Sequence, residues 1–121
     1  MAPPSQLSIA TGSLTRLVKE EASYHRELEE QNARIAKLEQ GGDSSDENAE
    51  YTLRQEVNNR RAAEETKAVF PQLRQKIQDA LAKLEQQLEQ DKGPGDQSTP
   101  EDITKAKEAI LGAKHALRET A

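Results

Sequence analysis

The sequence predicts an all-α fold, an elongated antiparallel three-helix bundle whose second helix is the longest and kinks at Pro71. Three observations carry that expectation. Leu7, Ala10, Leu14, Leu17, Tyr24, Leu28, Ile35 and Leu38 recur at alternating steps of three and four, with only Glu21 and Gln31 interrupting the run. An α-helix turns every ~3.6 residues, so this rhythm lays the side chains along one stripe, which has to be buried against other helices. Two later segments carry matching stripes, and turn-rich breaks separate all three.

Helix 1 is expected over about 6–40. Ser5, after the prolines, and Ser13, after Gly12, could each cap it by accepting a first-turn amide. The seam decides for Ser5, because Leu7 and Ala10 lie in phase with Leu14 and Leu17. The helix then passes through Gly12, at the ~1 kcal/mol an interior glycine costs. Gly41-Gly42-Asp43-Ser44-Ser45-Asp46 has turn formers and no apolar anchor, so residues 41–47 read as a loop.

Helix 2 is expected over about 48–91, opening on Glu47 and Glu50 where the helix dipole favours acids. Phe70, Leu73, Ile77, Leu81, Leu84 and Leu88 form a firm stripe. Upstream, Leu53 and Val57 are followed only by Ala62, Ala63 and Ala68 before Val69. Pro71 removes a backbone hydrogen bond and crowds the preceding turn, at ~3 kcal/mol. No Gly, Asn or Ser cluster flanks it, so one kinked helix is favoured over a helix split in two.

Residues 92–99 form the second loop. Thr99 as cap, Pro100 at the first helical position, and Glu101 and Asp102 in the first turn start helix 3, over about 100–119. Ile103, Ala106, Ile110, Ala113 and Leu117 keep the rhythm, with alanines that permit close approach. The packing expected is spectrin-like, with all 121 residues in one domain. At 1.5 Å per residue the helices span roughly 52, 66 and 29 Å.

Composition narrows the function. The chain is 33% hydrophobic and 32% charged, and its mean hydropathy of -0.96 permits only a thin core. Tyr24, Tyr51 and Phe70 are its only aromatic residues, which argues against a deep small-molecule pocket. Cysteine is absent, which excludes disulfides and thiolate chemistry and suits a reducing compartment. The N-terminus lacks the pattern of a signal peptide, and no run approaches the ~18 apolar residues of a membrane span. A soluble cytoplasmic protein is therefore expected. The net charge of -5 argues against general nucleic-acid binding.

No catalytic or metal constellation can be placed. His25 beside the seam and His115 on helix 3 read as ordinary helix-surface residues, since no serine and carboxylate can be set around either. Asp43, Asp46, Glu47 and Glu50 lack the alternating oxygen ligands and central glycine of a calcium loop. Neither Gly41-Gly42 nor Gly93-Pro94-Gly95 leads into the Lys-Ser or Lys-Thr of a phosphate loop. Between Tyr51 and Lys76 six basic residues face three acidic ones, but stacking aromatics are missing, so this reads as a solvated face. A non-enzyme without cofactors or metal is expected.

One exposed stripe remains. Gly12, Arg16, Lys19, Ser23 and Arg26 fall on helix 1 opposite Leu14 and Leu17, a basic line on an acidic protein. It reads either as a solvated face held by local ion pairs or as a docking strip for an acidic partner.

The segment Thr11-Gly12-Ser13-Leu14-Thr15-Arg16-Leu17-Val18-Lys19-Glu20-Glu21-Ala22-Ser23-Tyr24 resembles the N-terminal signature of the tubulin-specific chaperone A family, also called tubulin-folding cofactor A. The likeness continues more loosely through Val69-Phe70-Pro71-Gln72-Leu73-Arg74 and from Ile103 to Leu117, covering roughly residues 6–118. The segments Gly41 to Asn48 and Lys92 to Thr99 look longer and more polar than the family pattern, which argues against them as binding elements.

The resemblance implies a three-helix bundle, without catalysis or nucleotide, that captures β-tubulin after the cytosolic chaperonin and keeps it available for assembly with α-tubulin. Other tubulin-folding cofactors are implied partners, and the cytoplasm and cytoskeleton the implied location. Partner contacts are then expected at Arg16, Lys19, Glu20, Ser23 and Arg26. The alternative is a coiled-coil adaptor whose seams pair between chains, with Glu21 and Gln31 as polar layers that set its register. The two glycine-rich breaks argue against it, so a monomer is expected ahead of a dimer.

Overall fold

The computed structural model describes residues 5–40, 46–90 and 99–119. It contains three helices in sequence, α1 (Gln6–Gln40), α2 (Asp46–Gln90) and α3 (Pro100–Glu119), and no strand among the described residues. α2 is the longest at 45 residues. It runs through Pro71 as one unbroken helix, and no kink is established there. Residues 41–45 and 92–98 of the expected loops lie outside the described residues, and so does the comparison of loop lengths with the family pattern.

The helix starts follow from capping chemistry. Ser5 Oγ accepts the Ser8 N–H at 3.0 Å, so the earlier of the two candidate serines opens α1. Thr99 and Asp102 form a reciprocal box at α3, Thr99 Oγ1 accepting the Asp102 N–H at 3.1 Å and Asp102 Oδ2 accepting the Thr99 N–H at 3.3 Å.

The chain divides into two compact units, Met1–Glu21 with Gln72–Ala121, and Ala22–Pro71. The first packs segments of all three helices. Ser5 donates to Asp102 Oδ2 at 3.2 Å, so α1 and α3 start side by side. α2 runs against α3, with Lys114 Nζ at 3.7 Å from Glu85 and Arg74 Nη2 donating to the Leu117 carbonyl at 2.8 Å. The Arg74 bond covers one of the carbonyls that a helix C-terminus leaves without an internal partner. Leu7, Leu14, Leu73, Ile77, Leu81, Leu84, Ala106 and Ala113 are buried and form this unit's core. Each large aliphatic side chain among them gains about 1.5–3 kcal/mol from leaving water. The buried Thr11 hydroxyl donates to the Leu7 carbonyl at 2.8 Å and so carries no unmet bond.

The second unit pairs α1 with α2 alone. Its buried residues, among those described, are Gln31, Ala63 and Thr66, with Thr66 Oγ1 donating to the Ala62 carbonyl at 3.0 Å. His25 does not lie free at the helix surface, because its ring stacks on Phe70 with centroids 4.3 Å apart and planes 21° from parallel. Arg60 donates to Glu56 at 2.9 and 3.2 Å and pairs with Glu39. The Glu56 hydrogen bond leads in holding the Arg60 guanidinium above its ordinary value, and Glu39 adds to it.

Leu53 and Val57, in the sparse first half of α2, are 60% and 46% exposed. The covered positions are Thr52, Gln55, Glu56, Asn59, Ala62, Ala63 and Thr66. The reason is phase. Counting back from Leu73 in steps of three and four gives Phe70, Thr66, Ala63, Asn59, Glu56 and Thr52, while Leu53 and Val57 fall outside that series. One continuous helix carries one such series, and the aliphatic run from Leu73 to Leu84 dictates it.

Candidate functional site

The sequence pointed to Arg16, Lys19, Glu20, Ser23 and Arg26, and all five are exposed on α1. Arg16, Lys19 and Glu20 belong to the first unit, Ser23 and Arg26 to the second. Arg16 and Lys19 do not lie on an open back face, as the helical wheel implied. They line a groove of about 610 Å³ shared with α3, together with Gly12, Thr15, Lys105 and Glu108.

The groove's form follows from its helices. α1 and α3 start together at the Ser5 to Asp102 bond, so Lys105 and Glu108 lie about level with Ser8 and Thr11 of the same lining, and Arg16 and Lys19 stand farther along the groove. Thr15 Oγ1 donates to the Thr11 carbonyl at 2.9 Å, so this hydroxyl of the lining is satisfied within α1. A Cβ built on Gly12 would meet nothing within 4 Å, so the glycine leaves open space that any side chain would take up.

Charge sets what the groove can hold. Three cations face one carboxylate on a chain of net charge -5. Among the described residues none of Arg16, Lys19 and Lys105 makes an ion pair or hydrogen bond, so the solvated-face reading loses its local ion pairs. Their charge is available to an outside carboxylate, and exposed cations of this kind mainly steer encounter and fix register. Glu20 lies outside the groove lining, and Arg26 is likewise without an ion pair.

Lys105 escaped the reading of the sequence. A basic line can be found along one helix by its period, but a groove between two helices needs their relative register. The visible hint was the pair Lys105 and Lys107 flanking the buried Ala106. Among the described residues no group of three or more His, Cys, Asp or Glu is placed to hold a metal ion. No helix there is long and apolar enough to cross a membrane.

The model of the family described as tubulin binding cofactor A matches residues 2–110. The chain is 35% identical over 114 residues to tubulin-specific chaperone A of Saccharomyces cerevisiae, covering 94% of this chain and 95% of that protein. No solved structure gives a significant match.

Proposed function

This chain belongs to the tubulin binding cofactor A family, and from that premise we propose that it captures β-tubulin and holds it for assembly with α-tubulin, by surface binding without catalysis. The observation that supports a place for it is the groove lined by Arg16, Lys19 and Lys105, none of which makes an ion pair among the described residues. Glu20, Ser23 and Arg26, exposed on the same helix, are further contacts in this reading. A holdase of this kind needs exposed helix faces with fixed charge and has no use for an enclosed pocket. The cytoplasm is its place of action, and other tubulin-folding cofactors are the partners to which the client passes.

The adaptor reading is less well supported. Leu7, Leu14, Glu21 and Gln31 of the α1 seam are buried within a single chain, which leaves little of it for pairing between chains. Arg16→Glu with Lys19→Glu is expected to leave helicity unchanged by circular dichroism and to weaken β-tubulin pull-down about tenfold. Undiminished capture by that variant would remove the groove from the mechanism. Recovery of α-tubulin in place of β-tubulin would remove the client assignment.

A further inference from the structure

A second cleft lies in the second unit, where the end of α1 meets the beginning of α2, and it shares no residue with the groove above. Arg34, Lys37 and Leu38 line it from α1, and Tyr51, Gln55 and Asn59 from α2, around about 420 Å³. We propose that this cleft binds an extended acidic peptide segment carrying an aliphatic or aromatic side chain.

Charge complementarity is the first argument. The lining holds two cations and no carboxylate on a chain of net charge -5. Lys37 makes no ion pair among the described residues. Arg34 reaches Glu30 only at 3.9 Å with both side chains exposed, a contact loose enough to be exchanged for another carboxylate.

The neutral lining specifies the rest of the ligand. Tyr51 is 64% exposed, and its hydroxyl makes no hydrogen bond among the described residues. In a chain with three aromatic residues, this ring stands in water beside the half-buried Leu38 and offers a flat apolar wall. The half-buried Gln55 and Asn59 amides are also without hydrogen-bond partners among the described residues. Each amide presents both a donor and an acceptor, which matches the alternating N–H and C=O of an extended backbone. A phosphodiester chain is a poorer fit, because it draws its affinity from a long run of cations and this cleft has two. The proposal does not depend on tubulin as the client.

Fluorescence polarisation with the full chain tests it. The probes are a short labelled peptide of glutamates around one phenylalanine and its counterpart with glutamine at every glutamate. The acidic probe is expected to bind about tenfold more tightly, with the preference shrinking as salt is raised. Arg34→Glu with Lys37→Glu is expected to abolish the preference, and Tyr51→Ala to weaken both probes. Arg16→Glu with Lys19→Glu is expected to leave the preference intact, which separates this cleft from the groove used for client capture. Equal binding of the two probes, an unchanged preference in the Arg34 and Lys37 variant, or a loss that follows Arg16 and Lys19 instead would each overturn the proposal. The wild-type comparison alone can do so, whatever the variants' folding.

Discussion

Ser5 and Asp102, 97 positions apart, join the caps of two helices through one carboxylate oxygen. Asp102 Oδ2 accepts the Ser5 hydroxyl at 3.2 Å and the Thr99 N–H at 3.3 Å, while Ser5 Oγ accepts the Ser8 N–H at 3.0 Å. The first turns of α1 and α3 are thereby set level, and the groove bearing Arg16, Lys19 and Lys105 inherits that register.

Asp102→Ala removes half of the capping box and the bond to α1 together. A loss of about 1–2 kcal/mol is expected in urea unfolding, at the upper end of what one capping residue contributes. Ser5→Ala combined with it should cost less than the sum of the two single changes, because both remove the same bond. A fully additive pair would show that the Ser5 to Asp102 contact carries no stability.

The phase of α2 sets two aliphatic residues in opposition. Ile77→Ala empties a fully buried site and is expected to cost about 2–5 kcal/mol. Leu53→Ser touches a side chain that is largely in water and should stay within about 0.5 kcal/mol of the parent. Thermal melts of both variants check this, and a large loss at Leu53 would mean that α2 is rotated from the phase described.

Gln31 is buried with its Oε1 lacking a hydrogen-bond partner among the described residues, a poor use of an amide in the seam. Gln31→Leu restores the apolar rhythm of α1 and is expected to stabilise by about 1–3 kcal/mol, the cost range of an unmet buried polar group. Chemical denaturation measures it directly. Loss of stability on this change would point to a bond made by the amide that the static geometry lacks.

Pro71 denies α2 one backbone N–H in the middle of 45 residues. Pro71→Ala supplies it, at an exposed position where the added hydrogen is free to meet the carbonyl of Lys67. A gain of up to about 3 kcal/mol is expected, reduced by the greater freedom of the unfolded chain. A melting temperature that falls would show that the proline ring is itself packed to advantage.

Legibility differed from element to element for physical reasons. The α1 seam could be read because each covered position repeats at helical spacing, and its two polar members, Glu21 and Gln31, are buried as that spacing demands. The choice of Ser5 as cap was legible for the same reason. The first half of α2 was less so, since its apolar residues are sparse and Leu53 and Val57 fall out of phase with the aliphatic run downstream. At the candidate site, Arg16 and Lys19 were visible on one helix, whereas Lys105 became a neighbour only through the pairing of α1 with α3. The stacking of His25 on Phe70 also depends on which residues two helices bring opposite each other.

The large aliphatic side chains that are fully buried all belong to the first unit, while the second buries Gln31, Ala63 and Thr66 and leaves Leu53 and Val57 in water. Cooperativity should therefore be uneven along the same two helices. Separating α1 from α2 within residues 22–71 uncovers only half-buried apolar side chains such as Leu28, Ile35 and Phe70, so this pairing can breathe while the remainder stays folded. Amide hydrogens there are predisposed to exchange through local openings, and those of residues 73–84 only through global unfolding.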